Sequence, residues 1–102
     1  MASDTIKLRA SLKGDLLTVR ALIRHPMEVG RRNKDGTRVA PHFITHVRCL
    51  VGDEVVMEAD WGGGIARDPY LSFEIVGVAA GATVTLRWED NLQGQDEASL
   101  TL

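Results

Sequence analysis

The sequence lacks most of what would give it chemistry of its own. It has a single cysteine, Cys49, which rules out an internal disulfide and every zinc module built on cysteine pairs. It has no apolar run near the ~18–20 residues of a membrane-spanning helix. Neither sign of charge dominates, since 12 Lys and Arg stand against 14 Asp and Glu. A general nucleic-acid binder carries a clear basic surplus. The opening residues Met1-Ala2-Ser3-Asp4 show neither the basic start nor the apolar stretch of a secretory signal, which taken alone points to the cytoplasm. At 102 residues the chain is expected to be one domain, 1–102. It shows no internal repeat, low-complexity stretch or linker.

Candidate chemistry is equally thin. The histidines are His25, His42 and His46. Two histidines four residues apart suit a metal on a helix, but on a strand they stand roughly 13 Å apart, too far to share an ion. A blue-copper site needs two His, a Cys and usually a Met converging on the metal. Here the cysteine is central and no His follows position 46. An iron site of four His and one Cys fails on count. Gly62-Gly63-Gly64 lacks the Lys and following helix of a phosphate loop. Asp53-Glu54, Glu89-Asp90 and Asp96-Glu97 fall at strand ends or turns, where solvated acids are expected. No Ser-His-Asp grouping is supported. The residues therefore predict no active site, no metal and no cofactor.

What the sequence does have is alternation. Ile6, Leu8, Ala10 and Leu12 share one face of a strand, with Lys7, Arg9 and Ser11 on the other, the period of two that marks β structure. After a Lys13-Gly14 turn, Leu17, Val19, Ala21 and Ile23 repeat the pattern until Pro26, which cannot donate to a ladder. A polar stretch from Met27 to Pro41 follows, about 15 residues without apolar period; loops of that length are usually functional or mobile. Phe43, Val47, Cys49 and Val51 then share a face, as do Val55, Met57 and Ala59, Leu71, Phe73 and Ile75, Val84, Leu86 and Trp88, and Ala98, Leu100 and Leu102. Cys49 lies in an inward phase, as a buried thiol would, with Arg48 expected on the opposite face. About seven antiparallel strands in this length predict an all-β, immunoglobulin-like sandwich, a small barrel being the alternative.

Two surface features remain. From Met1 to Val51 the charge is +6, and from Gly52 to Leu102 it is −8. Either the surface is bipolar and orients a partner, or interleaved strands mix the charges in space. Leu16, Leu22, Ile44, Leu50, Val56, Tyr70 and Val76 are apolar but outside the inward phase, and would mark an interface if contiguous. Trp61 and Tyr70 flank the glycine loop, as interface anchors or, for Trp61, as a cap on the core.

Several motifs also resemble a known family. Arg24-His25-Pro26-Met27-Glu28-Val29-Gly30 resembles the His-Pro-Met-Glu-x-Gly element of SoxZ, a subunit of the SoxYZ sulfur carrier of bacterial thiosulfate oxidation. The resemblance continues through Pro41-His42-Phe43-Ile44, Trp61-Gly62-Gly63-Gly64-Ile65, Asp68-Pro69-Tyr70-Leu71-Ser72-Phe73 and Trp88-Glu89-Asp90-Asn91. Gly63 stands where the family's tryptophan loop is expected to carry Pro. The resemblance implies an immunoglobulin-like fold and a heterodimer with SoxY, whose flexible Gly-Gly-Cys-Gly-Gly-type tail carries sulfur on its cysteine. Cys49 has no glycine neighbours and lies in mid-strand, so this chain resembles the non-catalytic scaffold partner. The resemblance also implies the periplasm, reached by export with a signal-bearing SoxY. The candidate partner interface is Arg24, His25, Pro26, Met27, Trp61, Asp68, Pro69 and Tyr70. The loop cations Arg31, Arg32, Lys34 and Arg38 are candidates for steering other Sox enzymes into transient contact, or for steering nearby anionic sulfur species. Neither nucleic acid nor membrane is an expected partner, and self-association of the isolated chain is left open. The rivals are a sulfur transferase using Cys49 and an unrelated homodimeric binding sandwich.

Overall fold

The computed structural model describes residues 3–102; the N-terminal reading over Met1 and Ala2 lies outside them. The described residues form nine antiparallel strands: β1 (Ile6–Lys13), β2 (Leu16–Ile23), β3 (Arg31–Arg32), β4 (Arg38–Val39), β5 (Ile44–Val51), β6 (Glu54–Asp60), β7 (Tyr70–Ile75), β8 (Thr83–Asp90) and β9 (Gln95–Thr101). One sheet has the order β1-β2-β7, the other β6-β5-β8-β9, and β3-β4 is a separate miniature hairpin. With β1 lying beside β9, the two larger sheets form the expected immunoglobulin-like sandwich. The seven long strands follow the alternation. The miniature hairpin does not, because strands of two residues are too short to show a period. It divides the polar stretch, whose base is closed by Glu28 and His42 bonding backbone to backbone at 2.6 and 2.7 Å.

Leu17, Val19, Ala21, Ile23, Val47, Cys49, Val84, Leu86, Trp88 and Ala98 form the core between the sheets, and all ten lie in the predicted phases. Two register shifts change which residues face inward. Alternation places Ile44 outside the inward phase, yet it is fully buried. The register of β5 against β8 shifts between Ile44 and His46, and such a bulge turns one side of the strand over relative to the other. A second shift, between Cys49 and Leu50, acts on β6. It exposes Val55, at 43%, and turns Val56 against the core instead. Leu16 and Leu50 are half-buried, while Leu22, Tyr70 and Val76 are exposed as expected.

The charge asymmetry resolves by sheet. The three-stranded sheet carries Lys7, Arg9, Lys13 and Arg20 against Glu74 alone. The four-stranded sheet carries Arg48 and Arg87 against Glu54, Glu58, Asp60, Glu89, Asp90, Asp96 and Glu97. The charges do not mix, and the sandwich is electrically bipolar.

Candidate functional site

The segments around His25, His42, Asp68 and Asp90 meet at one end of the sandwich. Asp90, the last residue of β8, is their hub. Its Oδ2 faces His25 Nε2 at 3.1 Å and His42 Nε2 at 2.8 Å. Its Oδ1 accepts the backbone N–H groups of Leu92 and Gly94 at 3.0 and 2.7 Å. Burial alone would raise this carboxyl, but hydrogen bonds from both histidines and from Gly94 and Leu92 outweigh it and hold the pKa down at about 2. Gly94 is glycine for a local reason: a Cβ there would lie 2.6 Å from the Asp90 carboxylate.

His25, His42 and Asp90 bring one ligand atom each within 4.8 Å of one another, a cluster that no sequence spacing reveals. Proton accounting assigns its chemistry. His25 Nδ1 accepts the N–H of Met27 at 3.1 Å, so in the neutral ring the proton sits on Nε2 and is donated to Asp90. A metal-bound histidine shows the reverse arrangement, with the free ring nitrogen donating its N–H outward. An ionised Asp90 only accepts, so His42 also donates from Nε2. The cluster is a hydrogen-bonded clasp.

The clasp gathers the other segments. Asp68 accepts the His25 N–H on Oδ1 at 2.9 Å and donates its own N–H to the His25 carbonyl at 2.9 Å. Asn91 accepts the Phe43 N–H at 2.8 Å and donates its side-chain amide to the Pro41 carbonyl at 3.0 Å. The His25 ring stands edge-on to Trp88 with centroids 5.1 Å apart. Trp88 in turn donates Nε1–H to Thr5 Oγ1 at 3.1 Å.

Of the candidate interface residues, His25, Met27 and Pro69 are buried and build this end of the sandwich without offering surface. Trp61 is half-buried and packed against the core. Arg24, Pro26, Asp68 and Tyr70 are exposed. Among the loop cations, Arg31 is held by Glu28 at 3.2 Å and Asn33 at 2.9 Å. Arg32 and Arg38 face each other across the hairpin, and both are exposed, as is Lys34.

The glycine loop docks on the polar stretch. A Cβ built on Gly63 would lie 2.6 Å from Val29 Cγ1, so Val29 fills the space that a larger residue in the loop would need. Gly63→Ala should therefore cost about 1 kcal/mol through overpacking. Adding Val29→Ala should recover most of it, read as melting temperatures of the three variants.

Cys49 is fully buried, and burial pushes its thiol up to about 11, leaving almost no thiolate at neutral pH. On the outer face, both ring nitrogens of His46 meet carboxylates, Asp60 at 2.8 Å and Glu58 at 2.7 Å. The Asp60 hydrogen bond, with help from Glu58, raises the His46 pKa against a partly opposing desolvation. This link between β5 and β6 is complete below the ordinary histidine pKa and weakens as pH climbs through the raised value.

The family profile of sulphur oxidation protein SoxZ matches residues 6–101. The chain belongs to the SoxZ family. Membership gives it a role in the Sox sulfur-oxidation system, where SoxZ is a non-catalytic subunit working with other Sox proteins. No curated protein matches the chain closely enough to count as a relative. Among solved structures it resembles a superoxide reductase (neelaredoxin) from Ignicoccus hospitalis. The TM-score is 0.67 at 19% identity over 95% of this chain and 77% of that one. It also resembles a hypothetical protein from Pyrococcus horikoshii, with TM-score 0.66 at 15% identity over 98% and 88% of the two chains. At such identities the likeness is one of fold. With the family shown, the SoxZ-like segments acquire a physical meaning: His25, His42, Asp68, Asp90 and Asn91 lock one end of the sandwich together.

Proposed function

We propose that this SoxZ-family chain pairs with SoxY as the half of the carrier that bears no sulfur. In that role it stabilises SoxY and helps present the cysteine-bound sulfur to the enzymes that load, oxidise and hydrolyse it. The observation that carries the reading is the family match over 6–101 together with a lone thiol sealed in the core. A carrier or transferase thiol must reach its donors, and Cys49 cannot do so without opening the sandwich. The rival sulfur transferase is disfavoured on the same ground. The clasp rigidifies the end from which Arg24, Pro26, Asp68 and Tyr70 project, so the partner meets a preformed surface. The exposed Arg32, Lys34 and Arg38 add positive charge at the hairpin that would speed encounters with any Sox enzyme presenting an acidic surface. The place of action is the periplasm, reached in company with a signal-bearing SoxY.

Co-expression with a SoxY chain, followed by sizing, tests the pairing. A one-to-one heterodimer is expected, and two separately eluting chains would overturn it. Cys49 should resist alkylation in the native protein and react once the chain is unfolded. Cys49→Ala should keep both the pairing and thiosulfate-dependent turnover, where a thiol enzyme would lose turnover. Changing Arg31, Arg32, Lys34 and Arg38 together to Gln should slow turnover and flatten its salt dependence. An unchanged rate and salt profile would remove the steering role.

A further inference from the structure

The outer face of the β1-β2-β7 sheet reads across its strands in rows. Lys7, Leu22 and Tyr70 stand side by side in the first row, Arg9, Arg20 and Ser72 in the next, then Ser11, Thr18 and Glu74, and finally Lys13 beside Leu16. Arg9 and Arg20 are direct cross-strand partners, an arrangement of like charges that costs stability. Among the described residues no ion pair or side-chain hydrogen bond engages Lys7, Arg9, Lys13 or Arg20. On the four-stranded sheet, by contrast, both cations are tied down: Arg48 donates to Glu58 at 3.1 Å and Arg87 to Gln95 at 2.6 Å. The face also holds an apolar pair at one end, Leu22 at 41% and Tyr70 at 61% exposure, adjacent in register.

We propose that this face is a docking surface for an acidic protein partner, one whose contact region sets carboxylates around a projecting apolar side chain. The apolar residue would seat on Leu22 and Tyr70, and the carboxylates on Arg9, Arg20, Lys7 and Lys13. Three points favour a protein over a small oxyanion. The cations are spread over roughly 20 Å of strand, six steps of about 3.3 Å from Lys7 to Lys13. Arg9, Lys13 and Arg20 line a wide, half-open hollow of about 560 Å³ that also holds Glu74, and none of the cations is buried to cradle one ion. The exposed Leu22 and Tyr70 offer the kind of aromatic and aliphatic anchor that protein interfaces use and a free anion does not. The self-repelling Arg9–Arg20 pair does nothing for the fold that a neutral pair would not do better, whereas an acidic partner relieves it.

The surface is distinct from the hairpin cations and shares only Tyr70 with the end proposed to meet SoxY; its test needs no SoxY, so the inference stands or falls separately from that pairing. The test uses the full chain with isotope-labelled amides and a synthetic peptide of glutamates around one central leucine. Amide shifts are expected along β1, β2 and β7. Arg9→Gln with Arg20→Gln should weaken peptide binding about tenfold or more while leaving the melting temperature unchanged or raised. Tyr70→Ser should weaken binding with an unaltered salt slope, because it removes the anchor and no charge. The quadruple Gln variant of the hairpin should bind within about twofold of the parent. Shifts confined to the hairpin, or equal losses in the two charge variants, would overturn the proposal. The same shifts from thiosulfate or sulfate at equal concentration would make the face an ion site and overturn it too. So would self-association of the isolated chain that the Arg9/Arg20 variant abolishes, since a second copy would then be the occupant.

Discussion

Asp90→Asn should lower stability by about 3 kcal/mol and the melting temperature by roughly 15 °C, the scale expected when a buried charged hydrogen-bond hub is broken in a domain of this size. The carboxylate serves four donors at once: two imidazole N–H groups on Oδ2 and two backbone N–H groups on Oδ1. An Asn amide can present only one oxygen, so at least one pair of buried donors loses its acceptor. The effect should reach far along the chain, because the hub joins β8 to residues 65 and 48 positions away. Amide exchange at Glu28, His42 and Asp68 should quicken in the variant well before the β8 core opens.

The same substitution fixes a pH signature. The folded pKa of Asp90 is depressed to about 2, against roughly 4 for an unfolded carboxylate. A depressed carboxyl contributes fully above the unfolded value, and that contribution drains away as pH falls from about 4 through about 2. The parent should therefore lose on the order of 2 kcal/mol across that window, and Asp90→Asn should lack this limb. If parent and variant showed the same acid limb, or melted within a few degrees of each other at neutral pH, Asp90 would not be the hub described.

Ile44→Ala should cost about 2–4 kcal/mol, while Val55→Ala should cost less than about 0.5 kcal/mol. Strict alternation predicts the opposite ranking, with Val55 in the core and Ile44 outside it. The bulges decide the matter, since Ile44 is 0% exposed and Val55 is 43% exposed. Chemical denaturation of the two variants measures the difference directly. Equal losses would mean that the register shifts at Ile44/His46 and Cys49/Leu50 do not exist in solution.

These two positions also mark where the sequence stops being legible. A bulge adds one residue to one strand, and nothing in a period of two announces it; the partner strand has to be known first. Where no bulge intervenes, as at Leu17 to Ile23 or Val84 to Trp88, the alternation gives the buried face residue by residue. The clasp is hidden for a different reason. His25, His42 and Asp90 come from three separate segments, so no spacing rule joins them. Each is an ordinary strand-end or loop residue when read alone. The family resemblance does point to their segments, but it offers only the one around His25 as a candidate interface. Burial shows that His25 and Met27 serve the interior, while their neighbours Arg24 and Pro26 are exposed. The charge split behaves differently again. It is visible as a count, and it becomes a surface because β1 and β2 share a sheet whose strands bring a single carboxylate, Glu74.

The miniature hairpin carries a practical consequence. Residues 34–38 are exposed, while the two ends of the excursion are stitched together by Glu28 and His42. A protease cut between Lys34 and Asp35 would sever the chain without parting any pair of long strands. The two pieces would remain mated through the sheet contacts of β2 with β7 and of β1 with β9. Its two halves should therefore reassemble from separate peptides, and the hairpin tip is the place to insert a tag or to open new termini.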